Sequence, residues 1–247
     1  MRVFVLTRAA ILRASVIAAI VLISVAVVLF RNDGAISVFG PKDNIPIYSV
    51  KTSGMQVAIT LDAAWGSDKT QSILDIFDKY GIKATFFVTG MWANANEPAL
   101  RAIAEHGHEV GNHGYTHKDF ATLSSEGMID ELKRCTDAIE RVTGKRTTIF
   151  RAPYGSWNAR IVDVVGKEQY DFIQWDVDSL DWKGLTPEQM DARVFSKVQS
   201  GSIILFHNDA KYIVEALPLI IEKLQEKGYK PVTVTELINE SLEANQK

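Results

Sequence analysis

The sequence predicts an α/β domain built on a parallel sheet or barrel and carried behind an apolar N-terminal segment. Three observations predict it. Short β-rich runs alternate with amphipathic stretches through most of the 247 residues, ionisable groups fall at the ends of those runs, and residues 14–30 carry no charge. The candidate strands are Val57 to Leu61, Ala84 to Val88, Glu109 to Asn112, Thr148 to Arg151, Phe172 to Val177, Ser202 to Phe206 and Pro231 to Val234. Helices are expected at about Asp68 to Tyr80, Pro98 to His106, Ser124 to Thr143, Asn158 to Gly166, Pro187 to Ser200 and Ala210 to Lys227. Gly81, Gly107, Gly144 and Gly228 stand where several of these stop.

The N-terminal run, ASVIAAIVLISVAVVLF from Ala14 to Phe30, nearly reaches with its flanks the roughly 20 residues that cross a bilayer core. Arg2, Arg8 and Arg13 precede it and only Arg31 follows closely, a bias that keeps the N-terminus cytoplasmic and sends the rest of the chain outside. No small-x-small cleavage site follows Phe30, so an uncleaved single-pass membrane anchor is expected rather than a secreted product. Residues 1–31 then form the cytoplasmic tip and transmembrane signal-anchor, 32–50 a linker rich in Gly, Pro and Asp, and 51–247 one extracytoplasmic domain.

Net charge is −3 and no run of Lys or Arg forms a stripe, which excludes an electrostatic footprint for nucleic acid. No protein partner is indicated. Cys135 is the sole cysteine, so the fold rests on its core without an intrachain disulfide, and Cys135 reads as a small packed residue.

In a parallel β/α barrel the reactive groups gather past the C-terminal strand ends, around one mouth. Asp62, His113, Arg151, Asp176 with Asp178, and His207 all stand at such ends. His113 and His117, in GNHGYTH, lie four residues apart and can converge on one cation if the segment turns after the strand, with Gly111 and Gly114 permitting the turn. His106 and His108 straddle a helix stop and read as exposed loop histidines. Asp62 ends a buried strand, where a carboxylate needs a partner to stay charged and can act as a general base; Arg151 is that partner. His207, after five apolar residues, is a candidate acid that requires an orienting carboxylate. Trp92 and Trp157 could stack on sugars, although core packing is the default for each.

Together these segments resemble the polysaccharide deacetylase family with the NodB-type homology domain, carbohydrate esterase family 4. The resemblance runs from about Gln56 to Val234 through TLDAAWG, GNHGYTH, FRAPYG, DSLDW and LFH, in the family's order. The WG-containing first motif and the anchored single-domain layout look most like sporulation-associated peptidoglycan deacetylases of Gram-positive bacteria. The resemblance implies a distorted (β/α) barrel of about seven parallel strands and a divalent metal, zinc first and otherwise cobalt, nickel or manganese. It also implies removal of N-acetyl groups from amino sugars of a cell-wall polysaccharide. By the same resemblance Asp62 is the base, Arg151 positions it, His113 and His117 bind the metal, and Asp181 orients the acid His207. Trp182 and Leu205 shape the acetyl pocket, and Tyr154 offers its backbone N–H to the oxyanion.

One departure stands out. The family has a second aspartate after the base, as third metal ligand, and this chain has Ala63. Asp68 either folds back to the metal or caps the helix that begins there. Two rival readings follow: a glycan-binding relative with weak or lost catalysis, and an O-acetyl esterase of the xylan type. A glycosidase explains neither the histidine pair nor His207.

Overall fold

A strand buried on both faces reads as a continuous apolar run, and the longest such run, β1 (Gln56–Ala63), becomes the centre of the sheet. The computed structural model describes residues 45–244; the expected transmembrane segment at residues 14–30 lies outside the described residues. Among the described residues no helix is long and apolar enough to cross a membrane.

Along the chain β1 is followed by α1 (Thr70–Lys79), β2 (Thr85–Val88), α2 (Gly90–Ala95), α3 (Glu97–Glu105) and β3 (Glu109–Asn112). Then come α4 (Ser125–Thr143), β4 (Ile149–Phe150), α5 (Ala159–Lys167), β5 (Asp171–Phe172) and β6 (Val177–Asp178). The chain continues through α6 (Pro187–Phe195), β7 (Ile203–His207), α7 (Ile213–Glu226), β8 (Lys230–Val232) and α8 (Val234–Ala244). Every ladder between these strands is parallel, in the order β5-β4-β3-β2-β1-β7-β6, with β8 added beside the start of β1. The seven strands of that path make a parallel half-barrel whose two ends, β5 and β6, do not pair with each other.

The single strand expected over Phe172 to Val177 is two short ones. Between them the backbone N–H of Gln174 donates to Ile47 rather than to a sheet neighbour, and the Asp176 carboxylate accepts from Ser202 Oγ and the Ile203 N–H. Ile47 pairs with Ile173 and Ser49 with Ser202, so chain preceding β1 bridges to both sides of the opening.

Strand alternation divides β1 between two layers. Val57, Ile59, Leu61 and Ala63 face the helices in the largest apolar cluster, packed with residues of α1, α3 and α7. Thr60 and Asp62 point the other way, toward Arg151. Helices α2, α4, α5 and α6 begin at side-chain caps that Thr89, Ser124, Asn158 and Thr186 supply, the last within a capping box. Helices α2 and α8 lie outside the sequence expectation. The first has six residues and starts on glycine, leaving no periodicity to read. The second carried a readable signal, the reciprocal cap between Thr233 and Glu236.

Two histidine and glycine expectations are corrected. His108 is buried, not an exposed loop residue: its ring lies near Phe77 and Phe86 and its Nδ1 accepts from the Ala84 N–H. Burial accordingly pushes its pKa down to about 4. Gly114 does take the left-handed turn, at φ 74°, but Gly111 keeps ordinary strand backbone and is needed for a different reason. A Cβ there would stand 2.5 Å from Phe87 Cδ1 and 3.1 Å from Ile149 Cγ1. Gly111→Ala is therefore expected to destabilise the fold by about 1–3 kcal/mol through overpacking, measured as a lower urea midpoint at unchanged slope; an unchanged midpoint would show that Phe87 moves aside freely.

Candidate active site

Register places the polar strand ends at one height. Asp62 pairs level with His207 across β1 and β7, and with Phe87 across β1 and β2; Val88 pairs with Asn112, and Asn112 with Phe150. The next residues after those last two, His113 and Arg151, emerge side by side.

Arg151 is fully buried beneath the mouth. Its Nη1 donates to Asp62 Oδ1 and Thr60 Oγ1, both at 2.8 Å, and its Nη2 to the Gln174 carbonyl at 3.0 Å. Its guanidinium lies over Phe87, 4.1 Å from the ring centroid. Burial alone would raise the Asp62 pKa, but Arg151, with His113 and His207, overcomes it and holds the carboxyl below its ordinary value. Asp62 is thus a charged carboxylate at neutral pH.

His113 is buried, and its Nδ1 donates to the Arg151 carbonyl at 2.8 Å, which leaves Nε2 as the free nitrogen, 3.5 Å from Asp62 Oδ2. Burial lowers its pKa, so the ring is neutral and its Nε2 lone pair is available. The turn beyond it is clamped from α4: buried Glu131 accepts from the N–H groups of Tyr115 and Thr116 and from the Thr116 hydroxyl. Asn112 adds a second clamp, accepting from the Gly114 N–H while donating to the Leu132 carbonyl and Thr136 Oγ1. His117 ends the turn at φ 59°, with Nδ1 3.3 Å from the Tyr154 hydroxyl and its ring centroid 5.1 Å from that of His113.

On the opposite side His207 closes β7. Its Nδ1 donates to Asp181 Oδ1 at 2.8 Å, and Asp181 also accepts from the backbone N–H groups of His207 and Trp182. Burial works against the imidazolium, yet Asp181, Asp62 and Asp209 reverse this and raise the His207 pKa above its ordinary value. This is the arrangement of an imidazole held as a proton donor.

A cavity of about 810 Å³ joins these groups. Asp62, His113, His117 and Tyr154 line one side, and Asp181, Trp182, Leu205 and His207 the other. Two expected participants stand apart. Arg151 acts from below without lining the cavity, and Asp68 is exposed, outside the lining, and not the capping residue of α1, which begins after Lys69 with no side-chain cap. Asp176 serves the backbone of β7, and Trp92 is core, its Nε1 donating to the Gly66 carbonyl. Trp157 is partly exposed and not in the lining.

The metal that the resemblance implies does not find a full donor set. Ala63 is fully buried in the helix-facing cluster and contributes nothing to the lining, and among the described residues no three His, Cys, Asp or Glu side chains converge to hold an ion. Two imidazoles remain. Reading the sequence did not reveal Glu131, Asn112, Thr60 or Gln174 as supports. Thr60 was readable, two residues before Asp62 on the same strand face; Glu131 was not, since it acts from a distant helix.

The polysaccharide deacetylase family model matches residues 49–173. Over 196 residues the chain is 34% identical to the uncharacterized protein YlxY of Bacillus subtilis, covering 79% of this chain and 61% of that one. It is 30% identical to the peptidoglycan-N-acetylglucosamine deacetylase PgdA of Listeria monocytogenes, over 81% of this chain and 42% of that one. The chain therefore spans less than two thirds of either relative. Among solved structures, wild-type BA3943 of Bacillus anthracis, a CE4 family pseudoenzyme, superposes with a TM-score of 0.77 at 37% identity, over 80% of this chain and 70% of that one. A mutant of BA3943 with restored enzymatic activity gives the same TM-score.

The acid half of the site yields a prediction independent of turnover. Because Asp181 supports the imidazolium, Asp181→Asn is expected to move the His207 titration, followed by NMR, to lower pH. The linkage has a definite sign: a raised folded pKa adds stability that is present below the unfolded value of about 6.5 and is lost as pH rises through the folded one. The variant is expected to lose that contribution, and an unmoved titration would mean that Asp181 does not set the protonation of His207.

Proposed function

The chain belongs to the polysaccharide deacetylase family, and from that premise we propose that its domain removes N-acetyl groups from amino sugars of an extracytoplasmic polysaccharide, the peptidoglycan, at a rate limited by an incomplete metal centre. The observation that carries this reading is the pair of level groups that neighbouring strands bring to one cavity: Asp62 held charged by Arg151, and His207 held protonated by Asp181. Amide hydrolysis needs both, a base to take the proton of attacking water and an acid to protonate the departing nitrogen.

In this proposal water approaches the acetyl carbonyl from the Asp62 side and passes its proton to Oδ2, the oxygen not engaged by Arg151. The oxyanion that forms is met by the Tyr154 backbone N–H, held near the mouth by a left-handed residue at φ 62°. His207 donates its Nε2 proton to the sugar nitrogen, because Nδ1 is committed to Asp181. Leu205 and Trp182, on the wall that carries His207, receive the acetyl methyl. Acetate and a free amine leave.

Zinc, cobalt, nickel or manganese would rest here on His113 and His117 and otherwise on water, a weaker site than three protein ligands provide. Tethering by residues 14–30, with the domain outside the membrane, is supported by the arginine bias around that run. Ala63 favours a second reading, a catalytically silent glycan-binding domain, in line with the 37% identity to the pseudoenzyme BA3943.

Acetate release from N-acetylglucosamine oligomers and from peptidoglycan separates the two. The wild-type chain is expected to release acetate slowly in zinc, with Asp62→Asn and His207→Ala each lowering the rate by at least about 100-fold, and Ala63→Asp raising it in zinc but not in EDTA. No release by wild type together with gain in Ala63→Asp would establish the silent reading. Full activity in Asp62→Asn would remove the assignment of the base.

A further inference from the structure

Trp65 and Tyr154 leave large aromatic surfaces in solvent at the cavity mouth, 57% and 68% exposed, and both line the cavity. Between them stands His117. Its ring centroid is 4.6 Å from that of Trp65 and 4.8 Å from that of Tyr154, each contact edge-to-face at 68° and 67°. The three rings form one continuous wall.

That wall is held rigidly. Trp65 sits one residue before Gly66, whose carbonyl accepts from Trp92 Nε1 at 2.6 Å and from Asn208 Nδ2 at 2.9 Å. Just beyond, Lys69 Nζ donates to the carbonyls of Asp209, Ala210 and Lys211. The loop after β1 is thus fastened to the loop after β7. His117 and Tyr154 both occupy the left-handed region, which non-glycine residues enter only where their surroundings enforce it. A surface fixed in advance in this way loses little entropy when a ligand settles on it.

The two histidines of the pair are also oriented differently. An imidazole that serves an ion is ordinarily held through its other nitrogen by a carboxylate, a backbone carbonyl or water. His113 meets that condition through the Arg151 carbonyl, whereas His117 meets a phenol hydroxyl and three ring systems. His117 thus stands between two aromatic rings while its Nε2 stays free for an ion.

We propose that Trp65, His117 and Tyr154 form a stacking wall that binds the pyranose face of an N-acetylated glycan without a metal ion. A pyranose presents a flat C–H face suited to an indole and a polar rim suited to the remainder of the cavity. The inference rests on the glycan reading above and adds to it the part of the mouth that carries affinity.

The test is calorimetric titration of the full chain with the N-acetylglucosamine tetramer, in excess EDTA and again in zinc, repeated with Trp65→Ala and Trp65→Phe. Equal wild-type affinity in both buffers is expected, with Trp65→Ala weaker by about tenfold or more and Trp65→Phe retaining most of the binding. Tight binding by Trp65→Ala, or wild-type binding only in zinc, overturns the wall while leaving glycan recognition intact. Failure of wild type to bind the tetramer in either buffer overturns the glycan reading itself and the wall with it.

Discussion

The buried guanidinium of Arg151 is the constraint on which the rest of the site depends. Removing an unpaired cation from water costs several kcal/mol, so a fully buried arginine dictates what surrounds it. Here it takes the Asp62 carboxylate, the Thr60 hydroxyl and the Gln174 carbonyl, and lies over the Phe87 ring. The residue acts through its backbone as well. Its N–H donates to the Asn112 carbonyl and its own carbonyl accepts from His113 Nδ1. One residue therefore fixes the charge of the base, the tautomer of the first histidine and the alignment of β4 with β3. Burial opposes the charge of Asp62, and Arg151, with His113 and His207, outweighs it.

Much of this framework is legible in the sequence because it follows from two regular features, strand alternation and the clustering of parallel strand ends. Asp62, His113, Arg151 and His207 each stand at the end of a candidate strand, and the structure brings all four around one mouth. What stayed illegible acts across large sequence separations or in short elements. Glu131 clamps the His113 turn from the middle of a 19-residue helix, and its partners, Tyr115 and Thr116, lie some 15 residues away, so the acidic side chain reads as solvent-facing. His108 was misread for the same reason, since a glycine at its side marks a loop while the packing of Phe77 and Phe86 makes the position interior. The strand over Phe172 to Val177 divides because Ile47, far away in sequence, supplies the acceptor that a sheet neighbour would have supplied. Asp68 remained ambiguous between ligand and cap, and the structure places it on the surface in neither position.

The two halves of the mouth are alike in contributing to the fold as well as to the site. Asp181 and His207 sit deep at the end of β7, and the Asp181 carboxylate also accepts two backbone N–H groups, so it holds local structure in place whether or not a substrate is present. The Asp62 and Arg151 pair is equally self-sustaining, because losing one partner would strand a buried charge at a cost of about 3–5 kcal/mol. Folding stability alone is sufficient to retain both pairs.

Position 63 is not protected in this way. An alanine in the helix-facing cluster, fully buried beside Val88 and Ala93, is comfortable without any ion, whereas a carboxylate there would need a cation to offset its desolvation. A carboxylate at position 63 would therefore be stable only while an ion was held, whereas alanine suits the fold without one. The exposed rings of Trp65 and Tyr154 have the opposite standing: neither is buried enough to stabilise the fold greatly, and it is the proposed glycan contact that would give them a role at the mouth. The buried framework keeps Asp62 ionised and favours the imidazolium of His207, and under the proposed reading it is the alanine beside Asp62 that decides between slow hydrolysis and binding alone.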